Sequence, residues 1–296
     1  MATPTDHTLI DNKGAIASAF SEIKSRKLIA VDCEGVNLSR KGQLTILTIA
    51  TETKVFIFDV FKLGQSVFDN GLREILESKS IEKLMFDCRQ DSDSLWHQFK
   101  VKITGVLDLQ LLDIIYRRKN RPRRTQTQSI KRCDRDWEVE NINGYKRCLE
   151  NYVYDAKLLK QKEKGNNELR DNYEIWKVRP LSETLIDYCV VDVVAMFPMY
   201  RKLKESDEIL PRLSVASEKY ADIWRAMEER RFDKFEFNAC LPLDIIPEEG
   251  TLSFPFASTK CSKCQRKFPT DEFRSKQLRN GTQVCRVCRK VQQQRR

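Results

Sequence analysis

The sequence predicts an α/β fold, a mixed central sheet flanked by helices, followed by a small C-terminal metal-binding module. Three observations predict it. Short apolar runs suited to strands alternate with stretches whose apolar residues recur at helical spacing. Two Cys-x-x-Cys pairs stand near the end of the chain, and a polar segment containing Gly and Pro, without period, separates them from the rest.

Taken in order, strand-like runs fall at 28–32, 44–50, 54–60, 83–86 and 105–108, and helical patterns at about 13–24, 69–78, 91–99, 109–117, 145–162 and 183–204. Residues 208–246 also read as helical, SVASEKYADIWRAMEE most clearly, and are expected to extend the first domain. PEEGTLSFPFAST at 247–259 reads as a linker. The expected division is therefore 1–207 for the α/β domain, 208–246 for the helical extension, 247–259 for the linker and 260–296 for the cysteine module.

Chemistry concentrates in three separated segments: LIAVDCEG with Asp32 and Glu34, FDCRQDSDSLW with Asp91, and DYCVVDVVAMF with Tyr188 and Asp192. Asp32 and Glu34 follow an apolar run at the end of a predicted strand, where i and i+2 side chains share a face and grip one cation together. Tyr188 and Asp192 stand one helical turn apart on one face. Asp87, Asp91 and Asp93 all precede or open a predicted helix, and spacing alone does not choose among them. An oxygen-rich ligand set in a chain with only His7 and His97 fits Mg²⁺ or Mn²⁺ better than zinc. Two such ions roughly 3.5–4 Å apart stabilise both the attacking and the leaving oxygen of a phosphoryl displacement.

In their order these segments resemble the DEDDy branch of 3′-5′ exonucleases, the ribonuclease D and Werner-type group, over about residues 8–205. LIAVDCEG resembles the first motif, with GQLTILTIAT as the strand after it. KLMFDCRQDSDSLWHQF is similar to the second, in which the family acid aligns best with Asp91, and WKVRPLSETLIDYCVVDVVAMFPMYRKL to the third. Within the group, the chain looks most like eukaryotic exonuclease-domain proteins related to Egalitarian. The resemblance implies a ribonuclease H-like fold and a metal-dependent 3′-5′ exonuclease that releases nucleoside 5′-monophosphates from RNA or single-stranded DNA, with RNA slightly favoured. It implies that Asp32 bridges two metals, that Glu34 and Asp192 complete one site, that Asp91 holds the second through water, and that Tyr188 orients or helps deprotonate the attacking water. Some relatives have lost catalytic acids and act as binding proteins, whereas this chain keeps all five residue types. A silent nucleic-acid-binding adaptor is the alternative reading.

Cys261, Cys264, Cys285 and Cys288 have the spacing of a tetrahedral site holding one structural Zn²⁺, with no open position for chemistry. A module under forty residues buries little apolar surface, so metal is expected to supply much of its folding free energy. Residues 260–296 hold 12 Lys+Arg against 2 Asp+Glu, which accounts for the whole formal excess of +10. That density favours phosphate backbones, the alternative being a solubilising tail or nuclear-import signal, and the zinc module is the expected contact for any protein partner. A second basic run, 117–124 continued by Lys131 and Arg132, reads as a loop, either one that steers a strand towards the acids or a solvated insertion. Tyr145, Tyr152, Tyr154 and Trp176 read as packing residues rather than base-stacking ones. Six further cysteines without paired spacing, no stretch of about twenty apolar residues and no leader pattern predict a soluble nuclear or cytoplasmic protein, not a membrane one.

Overall fold

A computed structural model describes residues 6–121, 130–170 and 172–294. Its chain divides into two compact units that do not follow the linear order read from the sequence. The first comprises residues 1–113 and 144–227, the second 114–143 and 228–296.

The first unit is built on a six-stranded mixed sheet of β1 (His7–Ile10), β2 (Leu28–Val36), β3 (Gln43–Ala50), β4 (Val55–Asp59), β5 (Glu82–Met85) and β6 (Val106–Asp108), in the order β1-β4-β3-β2-β5-β6. β3 pairs antiparallel with β2 and β4, and the other pairings are parallel. Ile29, Ala30, Val31, Ile46, Leu47, Ile49, Ile57 and Phe58 are wholly buried, as expected of central strands covered by helices on both faces. β1 was not read from the sequence, because HTLI is too short to show a period.

Several expectations are corrected. β2 runs to Val36, so Asp32 and Glu34 lie inside a strand rather than at its end. Their register is Asp32 opposite Thr48 and Glu34 opposite Ile46, with a bulge between Glu34 and Gly35. Gly35 is needed there, since a Cβ on it would meet the Gln43 carbonyl oxygen at 2.0 Å. The segment 145–162 forms two helices, Tyr145–Tyr152 and Ala156–Leu169, broken at Tyr154 (φ 56°), where the Asp155 side chain caps the second by accepting from Lys157 and Leu158. The long final pattern likewise splits into Glu183–Val194 and Met196–Leu203, because Pro198 lacks the N–H that would continue the ladder to Val194.

The helical reading of 208–246 holds only for Leu210–Arg225. Beyond it the chain turns, with Phe232 at positive φ and Glu236 accepting from the backbone N–H of Arg231 and Phe232. These later residues join the second unit, where Leu241 donates to Glu140 and Ile142 to Ala239. Arg118 and Lys119, read as loop, complete the helix Leu109–Lys119. Pro122, Arg123, Arg124 and the following TQTQS lie outside the described residues. Among the described residues, no helix is long and apolar enough to cross a membrane.

Candidate active site

Three separate elements of the first unit position the four acids. β2 presents Asp32 and Glu34 in alternation. The helix Glu183–Val194 carries Tyr188 and Asp192 one turn apart, and starts where Ser182 accepts from the Leu185 N–H. Just before it, Arg179 clamps Asp59 at the end of β4 through paired hydrogen bonds, one of 2.8 Å, which anchors the helix entry to the sheet.

Ligand oxygens of Asp32, Glu34 and Asp192 lie within 4.8 Å of one another. Asp91, in the first turn of the helix Arg89–Phe99, stands outside that trio. Its Oδ1 accepts from the Cys33 N–H at 3.0 Å, the peptide between Asp32 and Glu34, and its charge acts on both. Asp93, two residues on, turns elsewhere: it accepts from Arg40 Nε and backbone N at 3.0 and 2.9 Å. The structure therefore separates the three candidates that spacing left open, giving Asp91 to the acid cluster, Asp93 to an internal clamp and Asp87 to a pair with Arg89.

Burial, reinforced by the neighbouring carboxylates, pushes Asp32 well above the ordinary carboxylate range and Glu34 up to about 8. Burial also raises Asp91 to about 7 and lifts Asp192, which Lys162 partly restrains. Asp32 Oδ2 is buried without a hydrogen-bond partner. Four crowded acids with an orphaned oxygen fit a divalent cation, which cancels the repulsion and supplies the missing partner.

A carboxyl whose folded pKa is raised binds more protons in the native than in the unfolded chain. Stability therefore falls as pH rises from the ordinary carboxylate range towards about 8, by at most roughly 1.4 kcal/mol per pH unit for each such group. We expect metal-free protein to melt lower at pH 8 than at pH 5, and the rise in Tm produced by Mn²⁺ to be larger at pH 8. Equal Mn²⁺-induced rises at both pH values would contradict the cluster's role.

Sequence reasoning missed Lys162. From the helix Ala156–Leu169 its ammonium stands 2.6 Å from both Asp192 oxygens, 3.6 Å over the Tyr188 ring and 5.2 Å over that of Tyr145. Nothing distinguishes it in KLLKQKEKGNNEL. The one available signal is Gly165 in mid-helix, where a Cβ would come within 2.2 Å of the Tyr188 ring. Of the four aromatics that the sequence predicts to pack, three do: the Tyr145 hydroxyl donates to the Asp192 carbonyl (2.8 Å), Tyr152 donates to Asp113 (2.7 Å), and buried Trp176 sits beside Tyr188. Tyr154 is exposed.

The second unit holds a separate cluster. Cys261, Cys264, Cys285 and Cys288 bring their sulfurs within 4.8 Å of one another, and the N–H groups of Lys263 and Cys285 donate to the Cys261 sulfur at 3.4 Å. Hydrogen bonds within the cluster hold Cys261 below the ordinary thiol range and push Cys288 above it, as befits sulfurs that become thiolates together only around a cation. The cysteines share a core with Val139, Cys240, Leu243, Phe268 and Phe273.

Several module cations are already engaged. Arg286 pairs with fully buried Glu272 (3.0 Å) and with Glu138 (2.7 Å), Arg289 with Asp136 (2.8 Å), and Arg274 with Asp134 (3.0 Å). Of the other basic run, Arg117, Arg118 and Arg121 converge on Glu140. The charge asymmetry nevertheless follows the units: the second holds 24 Lys+Arg against 13 Asp+Glu.

Comparison with known proteins gives the ancestry of this arrangement. A family model described as 3′-5′ exonuclease matches residues 8–206, two thirds of the chain. The chain belongs to the 3′-5′ exonuclease family. Among curated relatives, the human piRNA biogenesis protein EXD1 is 29% identical over 259 residues, 85% of this chain and 45% of that protein. Its mouse counterpart is also 29% identical, over 80% of this chain and 39% of that protein. The chain thus spans less than half the length of either relative. Among solved structures, Trypanosoma brucei RNase D in a GMP complex superposes with a TM-score of 0.63 at 21% identity, covering 80% of this chain and 69% of that one. Escherichia coli RNase D gives 0.54 at 20% identity, covering 75% of this chain and 51% of that one. These likenesses establish the RNase D-like fold that the sequence predicts.

Proposed function

We propose that this member of the 3′-5′ exonuclease family is an active, metal-dependent enzyme of the DEDDy type, shortening RNA or single-stranded DNA from the 3′ end and releasing nucleoside 5′-monophosphates. The observation that carries this reading is the convergence of the Asp32, Glu34 and Asp192 oxygens, with Asp91 bonded to the peptide between the first two. Asp32, Glu34, Asp192 and Asp91 are the acids that would hold two ions here, with Asp32 central to the cluster. Bound there, two Mg²⁺ or Mn²⁺ ions supply a more acidic water and charge stabilisation at the attacking and leaving oxygens. Burial and the adjacent carboxylates push Tyr188 far above the ordinary phenol range in the metal-free site; beside the acids, its role in this reading is to orient or help deprotonate the attacking water.

RNA is the favoured substrate. Curated relatives are named for piRNA biogenesis, and a Trypanosoma brucei RNase D structure with a TM-score of 0.63 is a complex with RNA U12. The basic second unit supports phosphate-backbone binding, and its four cysteines suit one structural Zn²⁺. A protein partner for this unit is the other use of that surface.

One observation favours the silent adaptor instead: Lys162 already supplies a cation to Asp192. The two readings part on 5′-labelled single-stranded RNA and DNA incubated with Mg²⁺ or Mn²⁺. An enzyme yields a ladder shortening from the 3′ end; an adaptor binds and leaves the strand intact.

A further inference from the structure

Resting on the reading of the acids as a divalent-metal site, we propose that Lys162 is a resident cation of that site which competes with a divalent ion for Asp192, so that full metal occupancy requires the lysine to withdraw. Its ammonium contacts both oxygens of the Asp192 carboxylate, and the side chain is only 9% exposed. A magnesium ion bonds carboxylate oxygen at about 2.0–2.1 Å and a lysine ammonium needs nearly the same space, so the two do not share those oxygens without strong repulsion.

The lysine's position is built into the packing. Gly165, one turn further along the helix Ala156–Leu169, leaves room for the Tyr188 ring, and any side chain there would force the helix away. The close approach that delivers Lys162 between Asp192 and Tyr188 thus depends on a residue without a Cβ. The ring faces of Tyr188 and Tyr145 complete the seat, and cation–π attraction is strongest in such a desolvated position. Before any metal binds, a buried +1 charge offsets part of the repulsion among four carboxylates.

The same helix offers an exit. Lys162 also borders a cavity of about 630 Å³ lined by Tyr145, Arg147, Glu150, Asn151 and Asn166. A rotamer change carries a flexible four-carbon stem from the acids into this space, which Lys146 also lines and where Glu150, paired with Lys146 at 3.7 Å, is an alternative anion.

Mn²⁺ binding to the full chain, purified with zinc and followed by paramagnetic resonance of the free ion, tests the proposal without reference to activity. Wild type is compared with Lys162→Met, Lys162→Gln and Lys162→Arg, and Asp32→Asn marks binding that belongs to the acid cluster. Both neutral variants are expected to bind Mn²⁺ at least tenfold tighter than wild type, about 1.4 kcal/mol, whereas Lys162→Arg is not. The glutamine keeps a donor for Asp192, so it guards against the methionine variant failing to fold. Unchanged or weaker binding in both neutral variants overturns the proposal. If Asp32-dependent binding persists at wild-type strength in them, the lysine reading alone fails; if no protein shows Asp32-dependent binding, the metal-site reading fails with it.

Discussion

Replacing Asp32 with Asn is expected to lower metal-dependent cleavage by at least about a thousandfold, while the metal-free protein becomes no less stable, or more stable, at pH 8. The first effect follows from removing the carboxylate central to the cluster. Metal stabilisation of developing charge is worth several kcal/mol, and each 1.4 kcal/mol is about tenfold in rate. The second effect has the opposite sign because Asp32, intermediate in exposure, is surrounded by the like charges of Glu34, Asp192 and Asp91, with one oxygen unpaired. An amide of the same shape removes that repulsion. Asp192→Asn makes the contrast: it abolishes the anion opposite buried Lys162, and breaking a buried pair costs about 3–5 kcal/mol. Single-turnover cleavage with thermal melting in chelator therefore separates the two variants. A large loss of stability in Asp32→Asn would contradict the account of the cluster as strained until metal arrives.

Removing zinc is the second large effect. Structural Zn²⁺ contributes on the order of 10–16 kcal/mol in small zinc domains near neutral pH, more than a core of this size supplies alone. The sequence predicts that chelation unfolds the segment 260–296 selectively. The structure extends that prediction, because the cysteines share one core with Val139, Cys240 and Leu243, and Arg286 joins Glu272 to Glu138. Chelation, or Cys285→Ser, is expected to expose amides at 133–142 and 240–246 to hydrogen exchange together with those at 261–291. Amides of β2 and β3 are expected to stay protected. Continued protection of 261–291 in zinc-free protein would contradict a folding role for the metal.

These two effects also mark what was legible in the sequence. Strand alternation and the one-turn helical spacing identified Asp32, Glu34, Tyr188 and Asp192, because both periods fix a side chain's face locally. The cysteine pairs were legible for a different reason, the Cys-x-x-Cys spacing that suits a tetrahedral metal site. Lys162 was not, since four lysines stand between 157 and 164 and only tertiary packing singles out one of them. Nor was the composition of the second unit, whose ion pairs join residues about 140–150 positions apart, as Arg289–Asp136 and Arg274–Asp134 do. Reading the module as a separate basic tail overlooked acids at 134–138 that its arginines contact.

The most direct measurement of the central claim uses wild-type protein, 5′-labelled single-stranded RNA with a free or 3′-phosphate-blocked end, and Mn²⁺ or chelator. The account predicts a ladder that shortens from the free 3′ end only when metal is present, releases nucleoside 5′-monophosphates and is suppressed by the block. RNA that is bound but left intact in every metal condition, or internal cuts indifferent to the blocked end, would contradict it.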